Sequence, residues 1–344
     1  MAERRARRIA VSGVTTPLGA LVARKLAAAE DVEIVVGLDG GSGDGGRGDG
    51  GREPAGIHVE RVDPNFRALT DFLGDHAVDS VVHAGMADSR SGAARTAQRA
   101  NVIDTMQLAA AASARSSPVT TLVAASTTDV YPSSSHSSLL HPESEELQPI
   151  PDSAAASALE AEGYVRELAA DSTQIAVSVL RLAELVGAGT TSPLAGLLEL
   201  PFVPVVAGFD PQVQFLHGGD AAAALAHACL RRLAGTFNVA GEGSLRWSEA
   251  VRLSGRRVAL VPPLAVGRLE PAMTRLRLPV TPAAMLDVLR YGRCVATEAI
   301  RDTGFTARHS TRTCVSLLAV RQPMDPLQRL VPGWLRPLGS GSER

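Results

Sequence analysis

The chain has 344 residues, 45% hydrophobic and 20% charged, enough to bury one large core with a smaller lobe attached to it. A formal net charge of -2 gives the molecule no general attraction for nucleic acid or an anionic membrane. No apolar run reaches the roughly 18 to 20 residues that span a bilayer, and the start of the chain lacks the apolar stretch of a signal peptide, which predicts a cytoplasmic protein.

The basic cluster Arg4, Arg5, Arg7 and Arg8 reads as a solvated N-terminal tail. A short apolar run at 9–11 then meets Ser12 and Gly13, and Gly19 follows inside a stretch where Leu18, Leu21, Val22 and Leu26 recur at helical spacing. Thr16 suits the N-cap of that helix and Pro17 its first turn. A second strand over 33–38 ends at Asp39, twenty residues after Gly19. Strand, glycine turn, helix and strand in this order are the layout of a dinucleotide fold. Gly13 turns the chain tightly out of the strand, Gly19 lets helix and sheet approach, and Asp39 takes the ribose hydroxyls. Thr16 stands where a middle glycine would give a pyrophosphate its closest approach, and its side chain crowds that place.

Residues 40–51 follow, with glycine at eight of twelve positions, and read as a surface loop in which Arg47 and, just beyond it, Arg52 have no phosphate role. Further strands are expected at 57–62, ending before Asp63, and at 80–84, 120–125 and 175–182. Helices are expected at 67–73, 93–112 and 155–170. Strands alternating with helices imply an α/β fold, a Rossmann-type doubly wound parallel sheet. Residues 132–153 form a long loop beyond the fifth strand, where such loops face ligand. Past residue 187 the pattern is less regular. Short strands are expected at 203–206, 212–216 and 237–239, and helices at 220–231, 248–253, 283–289 and 311–320. The division expected is a nucleotide-binding domain over 1–186, a smaller C-terminal substrate lobe over 187–322 and a loosely packed tail over 323–344. Cys229, Cys294 and Cys314 are odd in number and lack CxxC spacing, so they are expected as buried thiols, with no metal site.

The motifs SGVTTPLG, VVHAG at 81–85, NVIDT at 101–105, STTDVY at 126–131, VLRLAELVG at 179–187, QFLHGGDAAAAL at 214–225, TFNVAG at 236–241 and EAIRDTGF at 298–305 stand in one order. That order resembles the extended short-chain dehydrogenases, the NAD-dependent epimerase/dehydratase family that includes UDP-glucose 4-epimerase. The resemblance implies NAD as cofactor, with Gly13, Thr16, Leu18, Gly19, Asp39, Asp63, Ala84, Gly85, Asn101 and Arg181 around it, Asp39 on the adenosine ribose and Asp63 near adenine. Asp39 would repel a 2'-phosphate, which favours NAD over NADP. The resemblance further implies a small-molecule substrate of the nucleotide-sugar kind. It places Arg293 at a diphosphate contact, His217 with Asp220 beside the substrate lobe, and a homodimer built through the helices at 93–112 and 155–170.

The family's chemistry uses a Ser or Thr with a tyrosine and lysine in a YxxxK helix. The tyrosinate takes a hydroxyl proton, and the lysine lowers the tyrosine pKa and holds the cofactor ribose. Thr127 stands at the hydroxyl position, four residues before Tyr131. The tyrosine and lysine positions hold Ala154 and Ala158, or Ala155 and Leu159 in the neighbouring register. Lys25 is the single lysine of the chain, far off in the first helix, and no tyrosine is followed four residues later by a lysine. Any turnover therefore needs a non-standard base, and the alternative is a cofactor-binding sensor or scaffold without catalysis. Thr127 reads either as a substrate partner or as a hydroxyl satisfying the strand end. His217 and Asp220 read either as substrate contacts or as a helix start capped by Asp220. Asp104 replaces a small glycine of the family beside the cleft, and Glu160 and Glu162 read as solvated.

Overall fold

A computed structural model describes residues 6–40, 56–85, 94–149, 153–263 and 282–320. Residues 41–51, Arg52, the start with Arg4 and Arg5, and the tail 323–344 lie outside the described residues, as does the side chain of Asn101.

The first half alternates strand and helix as its periodicity predicts: β1 (Arg7–Ser12), α1 (Pro17–Ala27), β2 (Val32–Gly40), β3 (His58–Val62), α2 (Phe66–Asp75), β4 (Ser80–His83), α3 (Ala94–Ser113), β5 (Thr121–Thr127), α4 (Ala154–Asp171) and β6 (Ala176–Leu182). The second half contains β7 (Glu184–Gly187), β8 (Thr190–Thr191), α5 (Pro193–Leu197), β9 (Phe202–Val206), β10 (Gln212–Val213), β11 (Phe215–His217), α6 (Gly218–Arg231), β12 (Gly235–Val239), β13 (Leu245–Arg246), α7 (Trp247–Leu253) and β14 (Arg257–Val261). It ends with α8 (Pro282–Tyr291), α9 (Glu298–Asp302) and α10 (Thr311–Val320).

Seven strands form one sheet in the order β12-β6-β5-β4-β1-β2-β3, parallel at each pairing. Its central strands are apolar on both faces, as a sheet covered by helices on two sides requires: β4 is buried throughout and β5 at all but its last residue. The two-residue period sorts the cores. Ile9 and Val11 point into the layer shared with α1 and α6, whereas Ala10 points into the layer of α2, α3 and α4.

The part beyond residue 187 does not separate cleanly. α6 packs on α1, and β12 is the seventh strand of the main sheet, so residues 218–239 return to the nucleotide-binding layer. The lobe proper has its own core, with Trp247, Phe215, Leu194 and Val315 fully enclosed. The single strand expected at 212–216 is two. β10 pairs with β13, β11 pairs with β7, and between them Gln214 turns its Oε1 to accept the Val295 N–H at 2.8 Å.

The basic start is not all solvated tail. Arg7 donates to the carbonyls of Cys229 and Leu230 at the end of α6, at 2.7 and 2.9 Å, where a helix leaves its last carbonyls unpaired. Arg8 Nε donates to the His76 carbonyl at 2.7 Å. The three cysteines are buried free thiols, each pushed up to about 12 chiefly by burial.

Candidate functional site

The nucleotide turn is built by contact rather than by glycine flexibility alone. Gly13 has φ +74°, and a Cβ there would stand 2.8 Å from Gly85 Cα, so the β1–α1 turn and the chain leaving β4 touch through backbone. A Cβ on Gly19 would lie 2.1 Å from the Gly13 carbonyl oxygen. Thr16 caps α1: its Oγ1 accepts from Gly19 N–H at 3.1 Å and donates to the Gly13 carbonyl at 2.7 Å. Its hydroxyl is thereby turned onto the turn, and the Leu18 side chain enters the core.

Asp39 is half-buried at the end of β2, and Thr15 Oγ1 donates to it at 3.3 Å. Asp63 follows β3, exposed, next to Val62, which pairs with Gly40. Ala84 N–H donates to the Ser12 carbonyl at 3.0 Å and continues the sheet into Gly85. These residues leave a backbone-lined cradle at a helix N-terminus with an acid at the ribose position, and they fit a dinucleotide.

Beside this cradle, His83 bridges Ser12 Oγ and Thr105 Oγ1 at 3.1 and 2.9 Å, and burial pushes it down to about 4. Asp104, one residue before Thr105, is pushed up to about 6 by burial.

Thr127 ends β5, and its Oγ1 accepts from Asp129 N–H at 3.1 Å, capping a turn at 128–130. Ala158, at the place of a YxxxK lysine, is buried in the core with Tyr131 and Val130. Arg181 is not directed at cofactor. It is 2% exposed, its Nη2 and Nε donate to the buried Glu162 at 2.8 and 3.2 Å, and its Nη1 donates to Tyr131 Oη at 2.8 Å. Glu162 is likewise not solvated, for it also accepts from Ser126 Oγ at 2.5 Å. Tyr131 donates in turn to Asn238 Oδ1 at 2.9 Å. The reason is charge pairing in the interior: a buried guanidinium on a covered strand must meet a carboxylate, and α4 supplies one.

A small cavity lies at the carboxyl ends of β5 and β6, lined by Thr128, Glu184, Leu194, Gln214, Val288 and Arg293. Leu182 is the Cα partner of Thr127, so Glu184 enters two residues beyond that pair. Glu184 Oε2 accepts a hydrogen bond from Ser192 Oγ. Burial, and then the neighbouring Asp129, pushes its carboxyl up to about 7 against the pull of Ser192 and Arg293.

Arg293 pairs with Asp129, is 8% exposed at its side chain, and leaves Nε buried with no partner among the described residues. It is aimed there by Gly292, with φ +77°, where a Cβ would stand 2.2 Å from the Gln212 carbonyl oxygen.

His217 lies elsewhere. It caps α6 through Nδ1, which accepts from Gly219 N–H at 3.2 Å, and with Lys25 and His309 it lines a separate cleft. Asp220 is not the cap. It stands in the first turn of α6 and accepts from His309.

The sequence reading thus brought Gly13, Gly19, Asp39, Ala84 and Gly85 together. It missed Glu184, which sits in an apolar strand whose only polar signal was the acid itself.

Comparison with known proteins agrees with this frame. The family model "NAD dependent epimerase/dehydratase family" matches residues 9–240. An uncharacterized protein of Mycobacterium tuberculosis and its counterpart in Mycobacterium bovis are each 35% identical over 238 residues, 68% of this chain. The chain spans 63% of the length of those relatives.

Among solved structures, UDP-N-acetylglucosamine 4-epimerase from Bacillus cereus superposes with TM-score 0.63 at 20% identity, covering 91% of this chain and 95% of that one. UDP-glucose 4-epimerase from Stenotrophomonas maltophila, with bound NAD and formylated UDP-arabinopyranose, gives 0.66 at 17%, covering 91% and 97%. The Bacillus anthracis dTDP-glucose 4,6-dehydratase with NAD gives 0.65 at 14%, covering 91% and 96%. At such identities the likeness speaks to the fold, and the family follows from the match over two thirds of the sequence. The chain belongs to the NAD-dependent epimerase/dehydratase family.

Proposed function

We propose that the protein binds NAD in the cradle of Gly13, Gly19, Asp39 and Gly85 and oxidises a hydroxyl of a nucleotide-sugar-like substrate, with Glu184 as proton acceptor in place of the absent tyrosine and lysine. The observation that carries this reading is the Glu184 carboxyl, pushed up to about 7 beside Thr128 and Arg293, around a cavity of about 10 Å³ that has room for a single hydroxyl-sized group. NAD held in that cradle would supply the hydride acceptor for the carbon-bound hydrogen. Glu184, as carboxylate, takes the hydroxyl proton, and the substrate carbon–oxygen bond becomes a carbonyl. Thr127 and Thr128 hold the oxygen by hydrogen bonding at the end of β5. Arg293, with an unused Nε, holds an anionic part of the substrate once Asp129 gives way. Asp39 selects NAD by repelling a 2'-phosphate. Two copies associate through α3 and α4, whose outward residues include Ile103 at 52% exposure.

A second reading, an NAD-binding sensor without turnover, is favoured by Ala154 and Ala158 in the helix where reactive groups belong. To separate the two, the NAD-loaded protein is mixed with UDP-glucose, UDP-N-acetylglucosamine, UDP-glucuronic acid and dTDP-glucose. Nicotinamide reduction and products are then followed for wild type and Glu184→Gln. The proposal expects turnover that the variant lowers about 10²- to 10⁴-fold. Bound NAD without turnover on any substrate supports the sensor.

A further inference from the structure

On the outer side of α6 a cleft of about 520 Å³ opens, lined among others by Lys25 of α1, by His217, Asp220 and His227, and by Arg308 and His309 of the loop entering α10. It is separate from the cavity of Glu184 and Arg293, so nothing below rests on the activity proposed above. Three of its side chains converge: the donor atoms of His217, Asp220 and His309 lie within 4.8 Å of one another. We propose that His217, Asp220 and His309 form a binding site for a divalent transition metal ion of the zinc or cobalt class, with the cleft supplying the open coordination position.

Two neutral imidazoles and one carboxylate are a borderline donor set that suits zinc and cobalt rather than magnesium or calcium. Tetrahedral ligands at about 2.0 to 2.2 Å from an ion stand roughly 3.4 Å apart, so the widest pair closes by about 1.4 Å while His309 Nδ1 and Asp220 Oδ2, at 2.9 Å, open slightly. His309 sits in a loop, not in a helix, with its side chain 31% exposed. Asp220 is held in place, 3% exposed in the first turn of α6.

Charge points the same way. Asp220 Oδ2 accepts from both the backbone N–H and Nδ1 of His309 at 2.9 Å, and among the described residues its ion pair is with His309 alone. A buried carboxylate matched only by hydrogen bonds gains a full counter-charge from a bound dication. The His217 and His309 rings stand 4.2 Å apart, so their donor nitrogens can face one ion. His217 gives up only a long bond from Gly219 N–H at 3.2 Å. Lys25 and Arg308 on the cleft wall leave the remaining position to hydroxide or an anionic ligand.

The test uses the full-length, tag-free protein, stripped with chelator and titrated with ZnCl₂ and CoCl₂ by calorimetry, with the visible bands of cobalt reporting nitrogen and oxygen coordination. One equivalent should bind, and His309→Ala should weaken it about tenfold or more. His217→Ala, which leaves Asp220 and its backbone partner intact, should weaken it likewise. His227→Ala, on the same cleft but outside the donor set, should bind as wild type. Each variant is checked for an unchanged thermal melt, so that loss of fold is not counted as loss of a ligand. The proposal is overturned if wild type binds more weakly than about 1 mM, or if His309→Ala and His217→Ala, still folded, bind as wild type does.

Discussion

Glu184→Gln replaces the candidate proton acceptor by an amide of nearly the same shape that still accepts from Ser192, and it makes a stability prediction that needs no substrate. The carboxyl is pushed up from 4.5 to about 7 in the folded protein, chiefly by burial. The folded state therefore holds the proton more tightly than the unfolded chain. Stability is fullest below pH 4.5 and is lost as pH rises through about 7, where the fold must bury a charge. Taken whole, a shift of that size is worth roughly 3 kcal/mol, and for a half-buried residue solvent screening reduces this to about 2 kcal/mol. Urea unfolding of wild type and Glu184→Gln at pH 5 and pH 8 should show the variant gaining about 2 kcal/mol on wild type between the two. Asp129→Asn should remove part of the same slope, because Asp129 is the second cause of the shift. Parallel pH dependence in wild type and Glu184→Gln would refute the reasoning and return Glu184 to an ordinary solvated acid.

Gly19→Ala places a Cβ 2.1 Å from the Gly13 carbonyl oxygen; it should cost about 2 kcal/mol or more in denaturant unfolding and weaken NAD binding together with the fold. Glu162→Gln strands Arg181 in the interior, and the melt should report a loss of about 3 to 5 kcal/mol, whereas replacing both by apolar residues of similar volume should cost far less. Burial pushes His83 down from 6.5 to about 4, so its contribution to stability is present above pH 6.5 and lost as pH falls through 4. His83→Gln should flatten acid unfolding across that window, as followed by circular dichroism. Asp39→Asn should weaken NAD and relax discrimination against NADP, read by calorimetric titration of both cofactors.

The frame was legible because its physics is local. The three-to-four residue period of Leu18, Val22 and Leu26, the cap at Thr16 and the acid at Asp39 each depend on neighbours in the chain. The absence of a tyrosine–lysine pair was equally legible, since it needs only the residue types of one helix. Arg181 was not, because its direction is decided by Glu162 on α4, a partner nineteen residues away that pulls the guanidinium into the core. Glu184 was hidden for a related reason: its environment comes from Ser192, Asp129 and Arg293, which meet only when the lobe folds back over β6. Asp220 was left between a substrate contact and a helix cap, and the cap alternative failed because His309, far along the chain, takes its carboxylate and leaves the capping to His217.

The central claim is that this frame is an NAD site, and the most direct measurement is the amount of NAD released per chain when the purified protein is denatured, followed by titration of NAD into the stripped protein. The account predicts co-purifying NAD, identified by mass spectrometry, and saturable rebinding of one equivalent that Asp39→Asn weakens. A folded protein that carries no NAD and takes up none on titration would contradict it.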